Sequence, residues 1–277
     1  MNEINIAPQN VSGTCNYKCL YRVNYKAQSA TITNYGNFLG ISHNSGNNEC
    51  SFNANELNTN SIKLEQPSSL NYNNEIVDAQ LTMLSSSDKG VNNLNVSIPI
   101  STNGVGSKAS TILSDIIQGV SKKAPSKGES TNSGMKEFSL NEFIPKDKFY
   151  SFTDKKTNTD YISFGLSNAI YISDEDLKML QSIISKTGPA TLSSKPDMYI
   201  NNDGPVFGTG VSSDEIYIDC QPTNSSEQEV AVSYNKSINN DLVKMVKSEG
   251  FQITLLVIVS LILLYLLYKR FASIHSS

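Results

Sequence analysis

Histidine is the side chain most often used to hold a catalytic metal or to move a proton near neutral pH, and this 277-residue chain has two, His43 and His275. A Ser/His/Asp relay would rest on His43 alone, and no Gly-x-Ser-x-Gly elbow accompanies it. The glycine-rich GPVFGTG at 204–210 follows a polar loop and precedes no helical pattern, so it lacks the helix N-terminus of a phosphate loop. Cys15 and Cys19 stand four apart with no second Cys/His pair at zinc-knuckle spacing. With Cys50 and Cys220 they allow two disulfides in three connectivities, or a set of buried thiols. Polar residues at regular spacing occur in NEIVDAQLTMLS, residues 74–85. There Val77, Ala79, Leu81 and Met83 alternate with Asp78, Gln80 and Thr82, the period of a strand. The apolar side needs a core, and the polar side looks either at solvent or at the floor of a cavity.

The elements around this strand are mostly further strands. VNYKAQSATITNYGNFLGIS predicts a hairpin of residues 30–33 and 38–42 turning at Asn34-Tyr35-Gly36. Residues 61–64, 77–84 and 94–100 predict three more strands, separated by polar loops such as SSSDKGVNN. Two helices interrupt them. STILSDIIQGVSKK carries Ile112, Leu113, Ile116, Ile117 and Val120 at helical spacing. The second starts at Ser173 with Asp176 as a capping box, runs along Leu177, Leu180, Ile183 and Ile184, and is expected to stop at Gly188-Pro189. YISFGLSNAIYI before it reads as a strand.

The C-terminal part sets a compartment. Nineteen uncharged residues, 250–268, span roughly 28 Å as a helix, close to the thickness of a bilayer's hydrocarbon. Tyr265 and Tyr268 gather at one end, beside Lys269 and Arg270, as interfacial anchors. MNEINIAPQN has neither a basic nor an apolar region of the secretory type, so a tail anchor is expected. The positive-inside rule keeps residues 269–277 cytosolic and puts the large part on the other side. That large part holds 20 basic and 26 acidic residues, net −6, with no basic or aromatic-basic face, so nucleic acid is not an expected partner. The composition, 31 Asn and 40 Ser, is polar. Sequons at Asn10, Asn95, Asn224 and Asn235 fall below the six or so that chance would give.

In order, these pieces resemble the α-class carbonic anhydrases, and among them the catalytically degenerate, membrane-anchored forms on the envelopes of poxviruses and other large DNA viruses. INIAPQN resembles the family's opening segment, although its Ser-Pro is absent. SATITNYGNFLGIS is similar to the hairpin with an Asn-Gly turn. FSLNEFIPKDKFYSF resembles the L-L-P-x-x-x-x-Y-x-x-Y stretch, and AIYISDEDLKMLQSII the strand-to-helix unit that follows. The resemblance covers about residues 4–205 and implies a large, twisted, mostly antiparallel sheet with a few short helices. It also implies a zinc held by three histidines, two of them two apart on one strand and the third on a neighbour, whose bound water ionises near neutral pH. The matching positions are Lys63 and Glu65 on NSIKLEQ and Thr82 on DAQLTML, and Asn37 stands at the proton-shuttle position. Two histidines cannot supply three, and an amide cannot carry a proton at useful rates. TDKKTNTD corresponds to the loop that would orient a hydroxide, but it is shorter and more charged.

The expectation is therefore a protein without catalytic activity or cofactor: a carbonic-anhydrase-like exposed domain at 1–221, a polar stem at 222–249, a transmembrane helix at 250–268 and a tail at 269–277. Its partners would be the lipid bilayer and a host cell-surface glycan or protein; the alternative is a capsid protein, with the chain linking a virion's inner membrane to its shell. The net charge argues for a neutral glycan or a protein rather than a sulfated polyanion.

Overall fold

Period-two alternation on long stretches of this chain builds one extended sheet, and the two faces of that sheet are covered by different things. The computed structural model describes residues 2–42, 49–87, 91–132, 139–192 and 195–208. The principal elements are β1 (Val11–Thr14), β2 (Thr31–Asn34), β3 (Leu39–Ile41), β4 (Asn55–Glu65), β5 (Ala79–Ser86), β6 (Asn93–Ser101), α1 (Lys108–Lys123), β7 (Ser130–Asn132), β8 (Phe149–Asp154), β9 (Thr159–Phe164), α2 (Asp174–Ile183) and β10 (Met198–Asn201). The strands are ordered β7-β2-β3-β4-β5-β6-β9-β8-β10-β1, with short strands such as Tyr21–Val23 and Cys50–Phe52 attached beside this path. Neighbours run antiparallel except β6 with β9 and β10 with β1.

Five of the expected strands are present, with instructive differences at their ends, while YISFGLSNAIYI is split by a single helical turn at Leu166–Asn168 into β9 and a short strand, Ile170–Tyr171, that pairs with the end of β6. The hairpin turn covers residues 35–38, where the Tyr35 amide bonds the Phe38 carbonyl, rather than Asn34-Tyr35-Gly36. Asn34 belongs to the strand, fully buried, and its Oδ1 accepts from the Gly36 amide. β4 is eleven residues long instead of 61–64. Its polar first half pairs with Cys50–Phe52 on one side and with the end of β5 on the other, so partners rather than propensity extend it. Asn53 and Ala54 make the two-residue turn into β4 with positive φ at both, the geometry of a primed hairpin turn.

α1 starts one turn earlier than the apolar stripe, because Ser107 and Ser110 cap each other reciprocally at Lys108. Ser173 caps α2 by accepting from the Asp176 amide. This helix ends at Ile183, five residues before Gly188-Pro189. Two amides from the sheet replace its last turn: Asn34 Nδ2 donates to the Ile183 carbonyl at 3.0 Å and Gln66 Nε2 to that of Ile184 at 3.1 Å. With those carbonyls satisfied, Ile184 turns extended into the core.

Directly paired residues share a face. One face therefore carries Ile32, Ile41, Ile62, Leu64, Leu81, Met83, Val96 and Ile98, and it packs in one apolar cluster with Ile112, Leu113, Ile116, Ile117 and Val120 of α1. The other face carries the polar residues of β4 and β5.

Candidate functional site

Three rows of side chains cross this second face, and register alone assembles them. The first runs from Glu65 to Gln80, the second from Lys63 through Thr82, Ser97 and Ser163 to Tyr150, and the third from Leu84 through Asn95 and Tyr161 to Phe152. Gln80 is 1% and Thr82 6% exposed, so they face neither solvent nor an open cavity floor. The link between β4 and β5 folds back over them. Its Leu70 and Tyr72 join Ile4, Ile6, Tyr150, Phe152, Leu192 and Met198 in a separate apolar cluster.

Polar groups buried in this way must bond one another. Gln80 Nε2 donates to Thr82 Oγ1 at 2.9 Å and to Ser69 Oγ at 3.0 Å, and Thr82 Oγ1 in turn donates to Glu65 Oε1 at 3.2 Å. Ser69 Oγ and Gln80 Nε2 reach the same Glu65 oxygen at 3.4 and 3.5 Å. The Gln80 carbonyl accepts from the Leu70 amide at 3.4 Å and the Tyr72 hydroxyl at 3.5 Å, and Tyr72 also meets Ser163 Oγ at 3.3 Å. Burial raises the Glu65 carboxyl above its ordinary value, opposed by the Thr82 hydrogen bond and the Lys63 charge. Burial likewise raises the Tyr72 phenol, so it stays a neutral donor.

The positions matched to the family's zinc ligands are thus neighbours: Lys63 and Glu65 lie two apart on β4, and Thr82 pairs with Lys63. They do not make a zinc set. Lys63 directs its ammonium over the Phe38 ring, 4.9 Å from the centroid, the Thr82 hydroxyl is spent on Glu65, and one carboxylate remains. Among the described residues no group of three or more His, Cys, Asp or Glu converges. Asn37 is exposed in the hairpin turn, its carbonyl accepting from Thr187 Oγ1. Beside it Tyr35 and Phe38 stack at 4.7 Å, with Tyr35 lying so close over Gly40 that a Cβ there would meet its ring at 2.5 Å.

TDKKTNTD forms the end of β8, the turn and the start of β9, held by Asp154 accepting from the Lys156 amide and the Thr157 hydroxyl. Cys15 and Cys19 form a disulfide. Cys50 departs from the disulfide expectation: it is a buried free thiol whose Sγ lies 3.5 Å from the Leu57 carbonyl and 3.6 Å from Ser85 Oγ, and burial raises its pKa. His43, His275, Cys220, Tyr265, Tyr268, Lys269, Arg270, the stem and the uncharged run lie outside the described residues. Sequence reasoning missed Tyr72, Ser69, Ser97 and Ser163. For Ser97 and Ser163 a signal existed, a serine at alternate positions within apolar strands; Ser69, in the β4–β5 link, and Tyr72, in its two-residue strand Asn71–Tyr72, have none.

No protein-family model matches the sequence, and no characterised protein matches it by sequence similarity. Its fold is similar to that of dioscorin, solved in complex with ascorbate, at 18% identity and a TM-score of 0.59, over 73% of this chain and 86% of that one. It is also similar to the α-carbonic anhydrase of Photobacterium profundum (11% identity, TM-score 0.56, 72% and 88% covered) and to that of Thermovibrio ammonificans solved with sulfanilamide (12%, 0.56, 72% and 85%).

Proposed function

We propose that this chain, with its carbonic-anhydrase-like fold, is a non-catalytic binding protein of a large DNA virus, anchored in the virion membrane by residues 250–268 and presenting its domain for attachment to the host cell surface. One observation carries the non-catalytic part. The three positions that correspond to zinc ligands are a lysine whose ammonium lies over Phe38, and a hydroxyl and a single carboxylate bonded to each other within the network that includes Gln80 and Ser69. Such a network stabilises the sheet but offers a metal-bound hydroxide neither ligands nor room. The viral and membrane parts rest on the collinear resemblance and on the uncharged run followed by Lys269 and Arg270. A net charge of −6 ahead of that run opposes a polyanion at long range, which favours a neutral glycan or a protein as the partner.

Labelling intact particles with antibody to residues 1–208, together with binding of the full chain in lipid nanodiscs to host cells, tests the reading. Surface label and saturable, weakly salt-dependent cell binding are expected. A domain reached only after the shell is opened, with no cell binding, would replace attachment by a role joining the inner membrane to the capsid. One tightly held zinc per chain together with hydration of carbon dioxide would overturn the non-catalytic assignment.

A further inference from the structure

The third row of the polar face ends on the buried Phe152, but its other three members, Leu84, Asn95 and Tyr161, are half-buried. Leu84, Asn95 and Tyr161, side by side on β5, β6 and β9, form the floor of a groove of about 370 Å³, within the range of about 300–1,000 Å³ usual for small-molecule sites. Asn60 and Ser86 stand on one side, and Thr157 and Thr159, from the β8–β9 hairpin, on the other. Among the described residues none that lines the groove is charged; Lys155 and Lys156 stand in the adjoining turn without lining it.

We infer that this groove is a binding site for an uncharged saccharide. The inference rests on the attachment reading above and deepens it by placing the ligand site and naming its class. Three features converge. Phe152 stacks on one face of the Tyr161 ring, centroids 4.7 Å apart and planes within 6°, and the ring also lines the groove; a stiffened aromatic surface suits the C–H face of a pyranose. The Asn95 Oδ1 is engaged by Ser97 Oγ at 3.1 Å, which fixes the amide, while its Nδ2 has no partner among the described residues and can donate to a sugar hydroxyl. The rim consists of amides and hydroxyls, which both donate and accept, as vicinal sugar hydroxyls require. Among the described residues the lining is uncharged, on a part of the chain that carries net −6, and offers no cation to a sulfate or carboxylate.

The two rows above show why the groove lies here. Gln80, Thr82 and Ser97 are sealed beneath Tyr72 and Leu70, and on the third row the same apolar cluster buries Phe152 and packs on Tyr161 but leaves Leu84 and Asn95 half-buried. The place where the family's chemistry would sit is closed, and an open patch remains one pleat along the same strands.

The test uses the full chain in nanodiscs, produced in bacteria so that Asn95, within an Asn-Val-Ser sequon, carries no attached sugar. Binding to immobilised lactose, N-acetyllactosamine, maltotriose and cellotriose, with heparin as the sulfated comparison, is measured at low and physiological salt. At least one neutral probe is expected to bind with less than twofold change between the two salts. Tyr161→Ala should weaken that binding at least tenfold, and Tyr161→Phe by no more than threefold. Asn95→Asp keeps an acceptor for Ser97 but loses the amide donor, and should weaken it at least fivefold without changing the melting temperature. Neutral-probe binding that survives both Tyr161→Ala and Asn95→Asp overturns the site, and so does binding confined to heparin and lost with salt. Cell binding by a chain that ignores every neutral probe also overturns it while leaving attachment standing. Neutral-probe binding that these variants abolish, without any cell binding, keeps the groove and removes attachment.

Discussion

The two faces of the central sheet are built from the same strands, yet they are held by different physics. On the α1 side Leu81, paired with Ile98 and Leu64, shares one apolar cluster with helix residues such as Ile116 and Ile117. On the other side Gln80 and Thr82 are also almost fully buried, but they are satisfied by hydrogen bonds to Ser69, Tyr72, Ser97, Glu65 and the Leu70 amide. The comparison teaches that alternation of apolar and polar residues along a strand does not by itself mean core on one side and water on the other. An apolar lid drawn over the polar side turns it into a second interior.

Substitutions on adjacent residues of β5 measure the difference directly. Leu81→Ala removes most of a fully buried side chain from the apolar face and is expected to destabilise the fold by about 2–5 kcal/mol. Gln80→Ala, one residue away on the other face, strips partners from Thr82, Ser69, Tyr72 and the Leu70 amide and should cost less, about 1–3 kcal/mol. Thermal melting of the full chain in mild detergent, followed by near-ultraviolet circular dichroism, ranks the two. A Gln80→Ala loss equal to or above that of Leu81→Ala would show that the network, not the apolar face, dominates stability.

Glu65 gives the smallest and most discriminating effect. Its carboxyl is raised by burial, so the folded state holds the proton more firmly than the unfolded chain does. The stability tied to this proton is fully present below the unfolded carboxyl value of about 4.3 and is lost as pH climbs through the raised folded value. As the carboxyl ionises, the half-covered charge counts against the fold. All three of its bonds in this network go to Oε1, so Glu65→Gln, with its carbonyl at that position, can keep them. Glu65→Gln should melt above the parent at pH 7, with the gain shrinking to nothing near pH 4. A gain that does not change with pH would mean that desolvation of the carboxylate is not the cause.

Much of this architecture was legible in the residues. Five of the six expected strands formed, YISFGLSNAIYI being broken in two, the stripe of Ile112, Leu113, Ile116, Ile117 and Val120 packs as read, and Ser173 caps its helix. The errors fell where distant segments decide. The end of α2 was set by Asn34 and Gln66, more than a hundred residues away, and the length of β4 by its two neighbours. The candidate site divides in the same way. That Lys63 and Glu65 share a face follows from their spacing; that Thr82 lies opposite Lys63 is a matter of register.

What the sequence determined by itself was the period of each strand and helix, the supply of only two histidines, the excess of acidic over basic residues before residue 250, and the uncharged stretch at 250–268. Each is a property of composition or of spacing within one segment, and none needs a partner to be read. The tertiary structure decided which polar face would be sealed and which left open. Tyr72 and Leu70 close over Gln80 and Thr82, while Asn95 and Tyr161, on the same face one pleat away, line a groove. The reason is that burial belongs to the covering segment as much as to the strand beneath it, and which segment covers a strand depends on chain-wide packing that no local pattern encodes.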